Sequence, residues 1–191
     1  MTAQQQEYGY NAKTQTEKNI CWMLPRPKPD HYKGGMPLYC EDWLLTLGRD
    51  ILGTEVDQNR ILNVFCGMNK QGIRVDLNPE VKPDVLCDIH KLSDHLPKAE
   101  YDIILADPPY SDDETDTLYG KHLPRLNYSK WTKECDKFLR HGGLFIIYHK
   151  YLVPNPDPEK YDVVKRVSVL NRVWHLPRVA VFFRKKQEQR P

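Results

Sequence analysis

The chain predicts a single α/β domain built on a mostly parallel sheet that ends in an antiparallel hairpin. Three observations predict it. Four short apolar runs follow one another in quick succession from Arg60 onward, each ending at a polar residue, an acid or a glycine. A fifth such run follows a segment with helical spacing. Two longer β-rich runs close the chain on either side of a short turn. Brief, β-branched runs of this kind are what strands buried on both faces look like, and parallel strands are buried that way.

In chain order, residues 1–19 are Gln-rich and polar, and read as a loose tail. Cys21-Trp-Met-Leu-Pro-Arg-Pro-Lys-Pro follows as an irregular segment, because its prolines cannot sit inside a helix. Trp43, Leu44, Leu47, Ile51 and Leu52 then recur at helical spacing, so 41–52 is an amphipathic helix. The buried-strand candidates are Ile61-Leu-Asn-Val-Phe, Gly72-Ile-Arg-Val, Asp84-Val-Leu-Cys and Tyr101-Asp-Ile-Ile-Leu-Ala. A helix over 127–140 puts Trp131, Cys135, Phe138 and Leu139 on one side and stops at Gly142-Gly143. Leu144-Phe-Ile-Ile-Tyr is the fifth strand, and 153–158 is a Pro-rich loop. Runs 162–173 and 178–183, joined through His175-Leu-Pro, read as a hairpin at the sheet edge. The expected organisation is therefore a tail over 1–19, one domain over 20–186 and a charged tail over 187–191.

Composition narrows the class. The chain has 191 residues, 40% hydrophobic and 28% charged, which suits one soluble globular domain. Net charge is +2, and the sequence pI of about 8.2 falls short of a broad nucleic-acid signature. The 5 cysteines, Cys21, Cys40, Cys66, Cys87 and Cys135, form no C-x-x-C pair and read as free thiols in a reducing compartment. No apolar run approaches the roughly 18 residues of a membrane span, and the polar start is unlike a signal peptide. A cytoplasmic protein without a metal site or a membrane association is the expectation.

In open α/β sheets ligands bind outside the carboxyl ends of the strands, which directs attention to Cys66-Gly67, Asp76, Asp88 and Asp107. Asp107-Pro108-Pro109-Tyr110 follows directly on the fourth apolar run. A proline pair alone merely stops a strand. Here an acid, two prolines that stiffen the backbone and an aromatic ring stand together where the crevice falls. That set suits methylation of an exocyclic amine, whose lone pair is delocalised into its ring and attacks poorly. The Asp107 carboxylate and the Pro108 carbonyl can accept both amino hydrogens and favour a tetrahedral nitrogen, and the remainder is alignment. Tyr110 can stack on a flat target, as aromatics do with extruded bases.

These four residues resemble the D-P-P-Y signature of amino methyltransferases with the Rossmann-like class I methyltransferase fold, a group that includes adenine-specific DNA methyltransferases and some ribosomal and transfer RNA methyltransferases. In organisation the resemblance spans about residues 60–185. It implies S-adenosylmethionine as cofactor and a nucleic-acid partner, DNA ahead of RNA. It places the cofactor on Phe65, Cys66, Gly67, Met68 and Asn69 after the first strand. Asp76 and Leu77 would stand at the ribose, Asp88 and Ile89 near the adenine, and Asp107 both against the cofactor and on the target side. Two vicinal hydroxyls are well matched by one carboxylate. The first turn departs from the family pattern in having one glycine, Gly67, and residues 67–76 are too few for a crossover helix, so a tight loop and a more open cofactor pocket are expected. Upstream, Tyr32-Lys33-Gly34-Gly35 is either a segment closing over the cofactor or a plain glycine turn. His149, Lys150 and Tyr151 either border the target pocket or are ordinary loop residues, and the same choice stands for Trp174-His175-Leu176-Pro177-Arg178.

Substrate and role stay open at this level. Adenine in DNA leads. Bases of structured RNA and a non-catalytic partner subunit are the alternatives, and Asp107 where glutamine-amide methyltransferases carry Asn argues against a protein amide. About 80 residues follow the motif, most of them needed by the sheet, so target choice would fall to residues 111–125, to the N-terminal segment or to another protein. Ser111-Asp-Asp-Glu-Thr-Asp would repel phosphates, while Lys121, His122, Arg125, Lys130 and Lys133 would offset it. The oligomeric state, a dimer or a complex with a specificity partner included, is not legible.

Overall fold

The computed structural model describes residues 19–23, 34–36, 39–109, 125–170 and 177–188. Eight strands form one sheet: β1 (Asn19–Met23), β2 (Ile61–Val64), β3 (Ile73–Asp76), β4 (Val85–Leu86), β5 (Tyr101–Ala106), β6 (Leu139–His149), β7 (Tyr161–Leu170) and β8 (Arg178–Lys185). Their spatial order is β1-β7-β8-β6-β5-β2-β3-β4. Every neighbouring pair is parallel except the two that involve β8, which runs against both β6 and β7. The mostly parallel sheet and the terminal antiparallel hairpin are thus as the sequence predicts.

Both faces are covered, which explains the continuous apolar runs. Alternate residues of β5 divide between two cores. Ile103 and Leu105 face α1 (Cys40–Leu52), with Leu44, Leu45 and Leu47. Ile104 and Ala106 face the opposite layer, which holds Leu92 of the short α2 (Leu92–His95) and Trp131 of α3 (Tyr128–Asp136). At Gly48 a Cβ would stand 3.1 Å from Ile103 Cδ1 and 3.2 Å from Ile146 Cδ1, so this glycine lets α1 lie close on the sheet. Trp131 is fully buried and meets Phe65 and Phe145 edge-on, with centroids 5.3 and 5.7 Å apart. Among the described residues, no helix is long and apolar enough to cross a membrane.

Three expectations are corrected. The segment from Cys21 is not irregular throughout: β1 pairs in parallel along β7, from Asn19↔Arg166 to Met23↔Leu170. The edge of β7 offers unpaired N–H and C=O groups that five residues ahead of the prolines can satisfy. In consequence the hairpin is not the sheet edge, because β1 lies outside it and β8 is inserted between β6 and β7. Finally, the helix expected over 127–140 ends at Asp136, and β6 already begins at Leu139. Gly142, at φ 75°, lies where the pairing with β5 slips from Tyr101↔Leu139 to Ile103↔Leu144, so the glycines kink a strand and do not close a helix.

Candidate active site at the carboxyl edge of the sheet

Five strands, β2 to β6, deliver the candidate residues to one edge. The ladders pair Val64 with Val75 and with Ala106, Ala106 with Ile147, and Asp76 with Leu86. The chain therefore leaves β2 at Phe65-Cys66, β5 at Asp107-Pro108, β3 at Leu77 and β4 at Cys87-Asp88 on one edge, where β6 also ends, at His149. The connection from β2 to β3 contains no helix, so it is the tight loop that its length predicts.

That loop is held from three sides. Phe65 adopts φ 55°, unusual for an aromatic residue, and its ring is fixed against Trp131. Gly67, at φ 49°, donates its amide to Asp76 Oδ2 at 2.8 Å. Asp76 Oδ1 accepts the Asn78 amide at 2.8 Å. Asp76 is only 4% exposed; burial raises its carboxyl above the usual range, against the backbone donors of Asn78 and Gly67. On the upstream side Gly34 C=O accepts the Met68 amide at 3.1 Å, and Asn69 Oδ1 accepts the Met36 amide at 3.0 Å. Gly34-Gly35 thus lies against the loop after β2, while Tyr32 and Lys33 fall outside the described residues.

Beneath the loop, Glu41 in the first turn of α1 accepts the amides of Lys70 and Gln71, each at 3.0 Å, and Asn63 Nδ2 at 2.6 Å. Sequence reasoning missed Glu41 and Asn63. The available signal was Asn63 itself, a polar residue in the middle of a buried strand, which needs a partner. Burial raises the Glu41 carboxyl, against the amides of Lys70 and Gln71.

Asp88 caps the turn after β4. Its Oδ1 accepts the His90 amide at 3.0 Å and lies 2.8 Å from His90 Nδ1. His90 Nε2 accepts the Asn127 amide at 3.1 Å, which leaves the ring proton on Nδ1, donated to Asp88. Asn127 in turn caps α3 through Lys130 N. His90, unremarked in the sequence, therefore ties Asp88 to the helix that follows the DPPY loop. Ile89 is buried in the core beside it.

Asp107 is partly buried and its amide reaches Val64 C=O at 3.4 Å; Pro108 is buried and Pro109 partly so. Cys40, at the start of α1, senses the Asp107 charge, which together with the larger effect of burial pushes its thiol well up. Burial, and then the Asp76 charge, push the Cys66 thiol up to about 12. Cys40, Cys66, Cys87 and Cys135 are all free and buried, and no cluster suited to a metal occurs among the described residues. Tyr110, residues 111–124 and Trp174-His175-Leu176 lie outside the described residues. Arg178 opens β8.

No family model and no curated protein matches the chain. Among solved structures, it is similar to the N-methyltransferase NodS from Bradyrhizobium japonicum WM9 in complex with S-adenosyl-L-homocysteine, at TM-score 0.54 and 12% identity, over 76% of this chain and 85% of that one. It is also similar to TrmN from Thermus thermophilus, at TM-score 0.53 and 18% identity, over 81% of this chain and 50% of that one, so it spans about half of TrmN. At these identities the likeness is one of fold. The chain has the Rossmann-like class I methyltransferase fold, with its acidic strand ends and its Asp-Pro-Pro turn gathered on one edge.

Proposed function

We propose that the protein is an S-adenosylmethionine-dependent methyltransferase that acts on an exocyclic amino group of a nucleic-acid base, with adenine in DNA the first candidate. One observation carries this reading: Asp107-Pro108-Pro109 leaves β5 between the loop after β2 and the end of β6.

The residues present fit the cofactor. Asn69 is 6% exposed, and with its Oδ1 taken by Met36 its Nδ2 is a buried donor with no partner among the described residues. A carboxylate such as that of the cofactor's amino-acid end would satisfy it. The Asp76 carboxylate accepts the amides of Gly67 and Asn78 and also meets that of Leu77, and its remaining acceptor capacity suits a ribose hydroxyl. Met68 and Leu77, adjacent in sequence to Asn69 and Asp76, expose apolar side chains, 53% and 36%. Phe65, Cys66 and Gly67 shape the loop, and Asp88 and Ile89 border the adenine side. When bound, S-adenosylmethionine supplies an electrophilic methyl group on a sulfonium sulfur.

The protein's own work is on the amine. Asp107 carboxylate and Pro108 carbonyl accept its two hydrogens, which concentrates the nitrogen lone pair opposite them. Asp107 needs no raised basicity, because the amine becomes acidic only as the new N–C bond forms and the S–C bond breaks. The proton released then passes to Asp107 or to water. The two prolines hold the acceptors in place at little further cost in entropy. Tyr110 supplies the stacking face.

The test is transfer of a labelled methyl group from S-adenosylmethionine to separate DNA, RNA and protein pools, followed by nucleoside analysis. The reading expects label in N6-methyladenine of DNA. Label in RNA would redirect the substrate and keep the chemistry; label in protein alone, or none while the cofactor binds, would refute the reading.

A further inference from the structure

The turn that follows β6 is built unlike an ordinary loop. The Tyr151 amide donates to His149 Nδ1 at 3.0 Å, which closes the turn and leaves the imidazole proton on Nε2. The His149 and Tyr151 rings lie 5.7 Å apart at 48°, and Lys150 Nζ stands 5.5 Å from the centre of the Tyr151 ring. Yet Tyr151 is 58% exposed and Leu152 61%, the two most exposed large apolar side chains among the described residues. A single exposed ring would need no explanation. This one is oriented by a backbone–imidazole hydrogen bond, carries a cation, and adjoins a second apolar side chain.

Its position gives it meaning. Parallel pairing ends at Ala106 with Ile147, so Asp107 and Tyr148 are the next residues of two neighbouring strands at the same edge of the sheet. Residues 149–152 therefore follow the strand next to β5, at the edge where Asp107-Pro108-Pro109 leaves it. An aromatic face next to an ammonium group is suited to an unpaired nucleotide, since the ring stacks on any base and the cation meets a phosphate.

We infer that this turn is a binding site for the strand that carries the target: Tyr151 stacks on a base neighbouring the methylated one, and Lys150 pairs with the backbone. The inference rests on the nucleic-acid reading above and deepens it, because it calls for single-stranded or locally opened nucleic acid in place of intact duplex.

Binding of a labelled single strand of about 15 nucleotides to the full chain, in the presence of S-adenosylhomocysteine, tests it. Tyr151→Ala should weaken binding about tenfold, the effect of losing one stacked base. Tyr151→Phe should stay within about twofold, since stacking needs the ring more than the hydroxyl. Lys150→Gln should weaken binding and lower the slope of log affinity against log salt by about 0.7, the value for one phosphate contact on a single strand. Affinity for S-adenosylhomocysteine should be unchanged in all three. Wild-type binding with an equally tight Tyr151→Ala variant overturns this inference alone. Cofactor binding without any strand binding by the wild type overturns the nucleic-acid reading with it. A Tyr151→Ala variant that binds the strand normally but loses a self-association seen for the wild type would assign the turn to a second copy instead.

Discussion

The amide of Gly67 donates to Asp76 Oδ2 across 2.8 Å, so the acid that ends β3 fastens the loop that ends β2. The family resemblance implies a place for Asp76 at the ribose, and the structure shows it holding the loop. Asp76→Ala should weaken S-adenosylmethionine binding by roughly 1–3 kcal/mol and lower stability by a similar amount, because Gly67 and Asn78 each lose a charged acceptor. Calorimetry and denaturant unfolding separate the two. A folded variant that loses stability and keeps full cofactor affinity would limit Asp76 to the loop.

Gly67→Ala should be as harmful as a change of one methyl group can be. A Cβ there would stand 2.5 Å from the Gly34 carbonyl carbon and 2.7 Å from Gly35 N, at φ 49°. Backbone strain and clash together are on the order of 1–3 kcal/mol, and relief requires Gly34-Gly35 to move off the loop. Cofactor affinity should fall at least about tenfold, with lower thermal stability. Wild-type affinity in Gly67→Ala would show that the contact with Gly34 does not shape the site.

At the opposite end of the sheet Asp102 accepts Arg60 Nε at 2.8 Å and also Arg140 Nε, which joins the amino ends of β2, β5 and β6. Burial by itself raises the Asp102 carboxyl, but hydrogen bonds from Arg60 and Arg140 outweigh it and hold the group below its usual range. A depressed carboxyl contributes stability that is present above the unfolded value near pH 3.9 and is lost as pH falls through the lower folded value. Asp102→Asn should cost about 1–2 kcal/mol at neutral pH, and its deficit relative to wild type should shrink below about pH 4. A deficit that stays constant to pH 2 in urea unfolding would contradict the assignment.

What the sequence made legible was whatever local pattern decides. Burial on both faces leaves runs such as Tyr101–Ala106 almost free of polar residues, so strand and carboxyl end could both be read. The Asp-Pro-Pro segment, the acid that ends β3 and the acid after β4 followed from those ends. What pairing at a distance decides was not legible. β1 is a strand because the edge of β7 receives it, a partner about 150 residues away in the chain. Gly142 and Gly143 stop helices in most settings, but here Leu139 pairs with Tyr101 and draws the strand start back across them. Glu41, Asn63 and His90 take their importance from partners on other elements, and only the polar Asn63 in an apolar strand announced the need for one.

Methyl transfer by Asp107→Ala at saturating S-adenosylmethionine, measured beside its cofactor affinity, tests the central claim most directly. The proposed role of Asp107 is to orient the target amine at the end of β5, so turnover should fall at least about a hundredfold, as for loss of a preorganised group that acts in the transition state, while cofactor affinity stays near wild type. Tyr110→Phe, in the same assay, should be milder than Tyr110→Ala. Full turnover by a folded Asp107→Ala protein would contradict the assignment of the Asp-Pro-Pro turn to catalysis, and the amino-methyltransferase reading with it.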